Sequence, residues 1–345
     1  MSAIQASFAA FAHEASSFCD IMQRFEELKK QVGCDRFNKP ACCYRALRDS
    51  TSSNYAASSW WMRLDERRGQ EIYRGLPCQK MVVVVVGAGP VGLRTAIEAA
   101  LLGAKVTVVE KRKDFSRFNI LHLWDQTVAD LKGLGMKFFN PKFGLGSVYH
   151  VPIRDLQNTL LKVCLVLGVE FVTGWEFEGF EEPPAAETKI SDHDCNQTTT
   201  KYQIRIGNNV FSEDEKNGLT RTTRKIPCDV LIGADGENSL VSKHAEFERQ
   251  LFRAGTAIGV TANFRNLGSK QENRLKEFTG SSVYKARFFQ KIREQHNFEL
   301  ENLVYYRGPQ THYLVMTPKK SSLLVKNILK TQQPTIEKIV AAFER

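Results

Sequence analysis

The sequence has no long hydrophobic run. Its longest uninterrupted apolar stretch, Met81 to Val86, is six residues, far short of the ~20 that span a bilayer as a helix. Its start carries His13 and Glu14 and lacks a basic cluster followed by an apolar block, so no signal peptide is expected. Eight cysteines, at 19, 34, 42, 43, 78, 164, 195 and 228, form no CxxC pair and no framework spacing. That argues against a disulfide scaffold or a zinc ribbon and for reduced thiols in a cytosolic or nuclear chain. No internal repeat is present. Nor is apolar content scarce: 42% hydrophobic and 25% charged residues exclude wholesale disorder. The 345 residues are enough for two domains on a prior of ~150 residues each.

Acidic residues are the scarcer sign of charge, 38 against 48 Lys and Arg, a net of +10. Between Lys243 and Lys330 there are 16 basic residues and 7 acidic ones. The excess is dispersed, with Arg249, Arg253, Arg265, Lys270, Arg274 and Lys276 spread over one segment. It fits either a solvated basic face or a docking surface for an acidic partner.

Apolar residues at helical spacing (Phe8, Phe11, Phe18, Ile21, Met22, Phe25, Leu28) predict an amphipathic helix over 8–32. The polar stretch 48–54 reads as a linker and Tyr55–Tyr73 as helix again, so residues 1–80 form a helical preface. From Met81 the pattern changes. The β-branched run to Val86 predicts a strand buried on both faces of a parallel sheet. A glycine turn, a helix over Thr95–Leu102 with Gly103 as its stop, and a strand over Lys105–Glu110 complete a βαβ unit. A helix from about Ile153 to Leu167 leads to a strand at Val169–Val172, and Asp229–Ile232 returns to a buried strand. Residues 181–224 read as an insertion in which Tyr202–Ile206 alternates like a hairpin strand. Short β-like runs at Ile258–Phe264, Leu303–Tyr306 and His312–Met316 suggest a second, mixed-sheet domain. The expected boundaries are a dinucleotide-binding domain over 81–253, a mixed-sheet domain over 254–330 and the start of a helix over 331–345, Thr335–Arg345 being its apolar-patterned part.

The main chemical signal is Gly87-Ala-Gly89-Pro-Val91-Gly92, which leaves a buried strand, opens a helix and is followed by Glu110 at the end of the next strand. Gly87 permits the tight turn, Gly89 lets backbone approach a pyrophosphate, and Gly92 lets the helix pack close to the sheet. The helix N-terminus supplies free N–H groups to the phosphates. Glu110 can accept from an adenosine ribose, which fits FAD or NAD and disfavours a 2′-phosphate. A second glycine motif, Ile232-Gly-Ala-Asp235-Gly236, closes another buried strand. Alone it is a common turn; with the first motif it favours a flavoprotein hydroxylase.

The runs Gly87–Ile97, Val109–Arg112, Phe115-Ser-Arg117-Phe118-Asn119-Ile-Leu-His-Leu-Trp124, Thr261–Phe264, Glu301–Tyr306 and Thr311–Thr317 resemble the flavin monooxygenase domain of the MICAL proteins over residues 8–330. That resemblance implies the FAD-binding fold of the aromatic-ring hydroxylases, α/β with a Rossmann-like domain and a mixed-sheet second domain. It also implies FAD and NADPH as cofactors and F-actin as the protein substrate. Actin methionines would be oxidised to the sulfoxide, disassembling filaments, in the cytoplasm at the cytoskeleton. The FAD-binding positions it carries over are Val91, Glu110, Lys111, Arg112, Arg117, Phe118, Asn119, Phe177 and Tyr313, beside Gly87, Gly89, Gly92 and Asp235. Arg112 and Arg117 suit a pyrophosphate, and the two aromatic rings suit an adenine or flavin pocket or plain core packing. No residue reads as a general base or nucleophile, because in such an enzyme the cofactor carries the chemistry.

The chain departs from the family pattern at Phe118, where His is usual, at Asp125, and at Ser242-Lys243, where an Arg is usual. In that family a late Gly-Asp motif, a flavin-stacking aromatic, and calponin-homology and LIM modules lie beyond the equivalent of residue 345, which implies an incomplete domain. Two rival readings stand beside it. One is a flavin hydroxylase or NADPH oxidase of small molecules that releases H₂O₂; the other is a non-catalytic interaction protein. His193-Asp-Cys195 lacks a second ligand pair for zinc. Trp60-Trp61 with Arg63, Arg67 and Arg68 reads as packing with a wet face rather than a nucleic-acid site.

Overall fold

A computed structural model describes residues 2–34, 40–53, 55–136, 148–183, 201–211, 219–248, 250, 258–308 and 310–329. In chain order the elements are α1 (Ala3–Ala9), α2 (Phe18–Val32), α3 (Pro40–Thr51), α4 (Tyr55–Arg68), β1 (Val82–Val86), α5 (Pro90–Leu101), β2 (Lys105–Glu110), β3 (Ile120–Trp124) and α6 (Asp125–Gly133). There follow β4 (Val148–Pro152), α7 (Ile153–Val166), β5 (Glu170–Thr173), β6 (Glu176–Glu181), β7 (Tyr202–Phe211), β8 (Leu219–Cys228), β9 (Val230–Gly233) and α8 (Leu240–His244). The last are β10 (Val260–Arg265), α9 (Lys270–Arg274), β11 (Phe278–Ser281), α10 (Ala286–His296), β12 (Leu300–Arg307), β13 (Thr311–Pro318) and α11 (Lys320–Val325). The residues form two compact units: Met1–Arg117 with Thr127–Phe138 and Ile153–Arg249, and Phe118–Gln126 with Phe139–Pro152 and Gln250–Arg345.

In the first unit the expected helix over 8–32 is two helices. A π-turn, Ala10–Glu14, ends the first piece, and Ser17 starts the second by accepting from the Asp20 amide at 3.3 Å. The apolar stripe survives the break: Phe8, Phe11, Phe18, Ile21, Phe25 and Leu28 are all buried. The stretch expected as a linker is largely the end of α3. At its end Thr51 donates to the Leu47 carbonyl at 2.7 Å while accepting from the buried Trp61 indole at 2.8 Å, which ties this end of the helix to α4. Trp60 donates to the Leu134 carbonyl, so the tandem tryptophans are packing residues.

The parallel sheet runs β5-β2-β1-β9, with Val82–Val86 in register with Lys105–Val109. α5 begins at Pro90, earlier than the apolar pattern suggests, because Pro suits the first helical position. α5 and α7 pack together, with Leu93, Ile97, Leu160 and Leu161 buried and the Cys164 thiol bonded to the Leu93 carbonyl. The other face of the sheet meets the antiparallel β6-β7-β8, where Val84, Val86 and Val109 join Phe177, Ile204, Ile206 and Ile226 in one cluster. The described residues of the segment expected as an insertion lie mostly in a hairpin, Tyr202–Phe211 against Leu219–Cys228. α7 also holds the N-terminal helices. Asn158 donates to the Ser16 carbonyl at 2.7 Å, and Lys162 donates to those of Ala12 at 3.0 Å and Ala15 at 2.8 Å.

The second unit holds a four-stranded sheet, β10-β13-β12-β11, antiparallel throughout rather than mixed. A ribbon, β3-β4, contributes Ile120 to a cluster with Tyr306 and Tyr313. His122 and His150 face each other across that ribbon, ring centroids 4.4 Å apart. Burial, and then the neighbouring His122, push the His150 imidazole down to about 4. On the sheet, the Tyr305 hydroxyl lies 2.7 Å from His312 Nδ1, and His312 Nε2 lies 3.2 Å from Glu272 Oε1, which fastens α9 to the β12–β13 hairpin.

No helix among the described residues is long and apolar enough to cross a membrane. His193, Cys195 and the expected helix over 335–345 lie outside the described residues.

Candidate dinucleotide site

The site is built where β1 hands over to α5. Gly87 sits at φ 106°, in the left-handed region that favours glycine, and a Cβ there would overlap the Ala234 carbonyl. A Cβ at Gly92 would overlap the Gly87 carbonyl. Gly89 is different: among the described residues, nothing beyond its chain neighbours and its own helix's backbone lies within 4 Å of where its Cβ would be, and it begins α5 with no side-chain cap. Two glycines close the turn against the sheet, and the third, at an uncapped helix start, leaves open space where a side chain would stand. That is the geometry an anionic diphosphate needs. Val91, in the first turn of α5, is 73% exposed.

Glu110 ends β2 beneath this loop and is buried. Its Oε2 accepts from the Ala88 amide at 2.8 Å and its Oε1 from the Arg112 amide at 2.9 Å. Each oxygen keeps lone-pair capacity for a ribose hydroxyl. Arg112 lies 3.8 Å from the same carboxylate, whereas Lys111 pairs loosely with Glu176 at 3.9 Å. Lys111, Arg112 and Arg117 are exposed cations.

Gln157, which the motif reading passed over, completes the loop. From α7 its Nε2 donates to the Ala88 carbonyl at 2.8 Å, so the two peptide groups flanking Ala88 are held by Glu110 on one side and Gln157 on the other. Its Oε1 is buried with no partner among the described residues. The signal was present in the sequence: Gln157 falls on the apolar stripe of α7 with Ile153, Leu156, Leu160, Leu161 and Cys164, where an amide is out of place unless something bonds it.

Asp235 follows β9 next to the glycine turn. Its Oδ2 accepts from the Leu240 and Val241 amides at 2.7 and 3.3 Å, capping α8, and its Oδ1 is buried with no partner among the described residues. A buried carboxylate oxygen with unused capacity suits a ligand hydroxyl or an ordered water.

The remaining sequence candidates are placed differently. The Phe177 ring is buried between the two sheets of the first unit and meets His244 edge-on at 5.9 Å. Phe118, Asn119 and Tyr313 belong to the second unit. Tyr313 is buried in its core, with its hydroxyl pKa raised by burial. Phe118, 41% exposed, lines a cavity of about 540 Å³ with Asn263, Phe264, Arg265, Asn266, Gln310 and Thr311. In the first unit, then, Gly87, Gly89, Gly92, Glu110, Arg112 and Asp235 converge on one loop, and Phe177 lies in the core beneath. The residues present fit a dinucleotide: an open, uncapped helix start, a ribose-binding carboxylate, nearby cations and an unused acceptor on Asp235.

Comparison with known proteins gives matches over most of the chain. Residues 256–343 match the family described as Mical, Rossman domain, and residues 80–135 match the FAD binding domain. The chain is 39% identical over 318 residues to the protein-methionine sulfoxide oxidase mical3b of Danio rerio, covering 92% of this chain and 18% of that protein. It is 38% identical over 321 residues to the F-actin monooxygenase MICAL3 of Homo sapiens, covering 92% of this chain and 15% of that one. With MICAL2 of Mus musculus the identity is 42% over 282 residues, 81% of this chain and 13% of the relative. The chain thus spans less than a fifth of the length of these relatives. Among solved structures, aklavinone-11 hydroxylase with FAD and aklavinone matches at TM-score 0.47 and 17% identity, over 77% of this chain and 50% of that one. The aromatic hydroxylase CabE matches at TM-score 0.44 and 18% identity, over 77% and 48%.

Proposed function

Because the chain belongs to the MICAL family of flavin monooxygenases, we propose that it is the dinucleotide-holding part of an FAD- and NADPH-dependent enzyme that oxidises methionines of F-actin to the sulfoxide and so promotes filament disassembly. The observation that carries this reading is the loop at Gly89, open above an uncapped helix start and braced by Glu110, in a chain whose relatives are named protein-methionine sulfoxide oxidase and F-actin monooxygenase. The first N–H groups of α5 would take the diphosphate of FAD, with Arg112 and Arg117 neutralising its charge and Glu110 accepting from the adenosine ribose. A carboxylate at that position repels a 2′-phosphate, so this cradle selects FAD over NADPH. The chemistry that bound FAD supplies is two-electron redox with activation of O₂. The protein's own groups bind, orient and exclude water, and a thioether is oxidised to its sulfoxide without a protein nucleophile. The proposed setting is the cytoplasm, at the actin cytoskeleton.

The test is peptide mass spectrometry of F-actin incubated with the FAD-loaded chain, NADPH and air. Methionine sulfoxide that requires both NADPH and the chain is the expected result. NADPH consumption with H₂O₂ release and no actin sulfoxide would overturn it in favour of a small-molecule hydroxylase or oxidase.

A further inference from the structure

The second unit carries a surface that the dinucleotide site does not use. From α9 through β11 to α10, residues 270–296, there are seven Lys or Arg and three Glu, a net of 7 − 3 = +4 in a chain whose total is +10. Among the described residues, none of Lys270, Arg274, Lys276, Arg287 and Lys291 is in an ion pair. The three acids are engaged locally. Glu272 accepts from the Ser269 and Leu267 amides at 2.8 and 3.1 Å and faces His312. Glu277 accepts from the Arg307 amide at 3.2 Å, and Glu294 from the Gln290 side chain at 2.8 Å.

The same stretch exposes apolar groups. Leu275 is 50% exposed, Val283 80% and Tyr284 76%, and α10 buries only Phe289 completely. Scattered exposed hydrophobics are ordinary. An exposed valine and tyrosine in a segment whose Lys and Arg are outside the ion pairs of the described residues has instead the composition of an interface anchor. β11 is an edge strand of its sheet, so no further strand of the described residues covers this side. The charge is dispersed, with amides and Glu294 between the cations of α10. A membrane or phosphate-polymer site is marked by a dense Lys/Arg block, which this face lacks.

We propose that the α9–β11–α10 face docks an acidic protein surface, that of the filament substrate itself. The inference rests on the proposed function and adds where the filament is held. Cations steer an acidic partner into encounter, and Tyr284 with Val283 supplies the short-range contact. The test is cosedimentation of the FAD-loaded chain with F-actin at low and moderate ionic strength, with RNA homopolymer and anionic phospholipid vesicles as parallel probes. Two independent variants are used, Lys270→Glu with Arg274→Glu and Lys276→Glu, and Arg287→Glu with Lys291→Glu. None of these residues is in the dinucleotide cradle, so FAD affinity serves as the folding control. The expected result is salt-sensitive pelleting of the unmodified chain, weakened about tenfold or more in each variant, with Tyr284→Ser lowering it roughly fivefold. Unchanged pelleting of both variants overturns the proposal, as does binding confined to RNA or vesicles. Actin sulfoxide measured in the same samples separates the two claims. Sulfoxide with unchanged pelleting removes the docking face and leaves the function. Weakened pelleting without sulfoxide from the unmodified chain leaves the face and removes the function.

Discussion

Replacing Gln157 by Leu should separate cofactor binding from stability. The substitution keeps the volume of the side chain and the apolar character of the α7 stripe, where Leu156, Leu160 and Leu161 are already buried. Two effects oppose each other in the fold. Losing the 2.8 Å bond to the Ala88 carbonyl leaves a buried acceptor unpaired, which costs about 1–3 kcal/mol. Removing Gln157 Oε1, itself buried with no partner among the described residues, relieves a penalty of the same order. The net change in stability is therefore small, within about 1 kcal/mol. The loop does not share that cancellation. With only Glu110 holding Ala88, the peptide groups leading to Gly89 lose one of two restraints and must be ordered by the ligand. A cost of about 1–2 kcal/mol in binding corresponds to a Kd for FAD raised roughly 5- to 30-fold. The assay is equilibrium titration of flavin fluorescence, paired with thermal unfolding of the ligand-free chain. An unchanged Kd in a folded variant would refute the argument, and so would a large drop in Tm with the Kd intact.

Three further outcomes follow from the same structure. Gly92→Ala places a Cβ against the Gly87 carbonyl, so α5 must shift; loss of flavin binding and destabilisation of about 1–3 kcal/mol are expected by titration and chemical denaturation. His150 titrates near 4 in the fold against 6.5 when free, so the unfolded chain binds more protons between those values. Stability should then fall as pH drops from about 6.5 towards 4 and level off below, and His150→Phe should flatten that part of the pH–Tm curve. Lys162→Met removes two bonds to the Ala12 and Ala15 carbonyls; limited proteolysis should then cut near Ser16 faster, with a stability loss of about 1–3 kcal/mol.

The βαβ core was legible because its signals are local. A pure β-branched strand, glycines with distinct steric duties and a carboxylate at the end of β2 sit within 30 residues, and Lys105–Glu110 is a strand over the expected range. α7 was readable from its apolar period, and the stripe of α1 and α2 from theirs. What escaped depends on partners distant in sequence. α3 runs on to Thr51, whose hydroxyl meets Trp61, and the ribbon β3-β4 pairs Ile120 with Pro152. β11 and α10 carry polar, basic patterns that read as surface. In the site, the glycines and Glu110 announce themselves by spacing. Gln157 gives only the weaker sign of an amide on an apolar stripe, and its partner is met only where α7 crosses the loop. Phe177 shows the converse: a family position that reads as a pocket aromatic has its ring in the core between two sheets.

The central claim, that this chain holds a flavin, is tested most directly by the visible absorption spectrum of the purified 345-residue chain after incubation with FAD and removal of the free ligand. The account predicts a bound-flavin band close to one equivalent, diminished in Gly92→Ala and weakened in Gln157→Leu. A colourless, folded protein that ignores added FAD would contradict it.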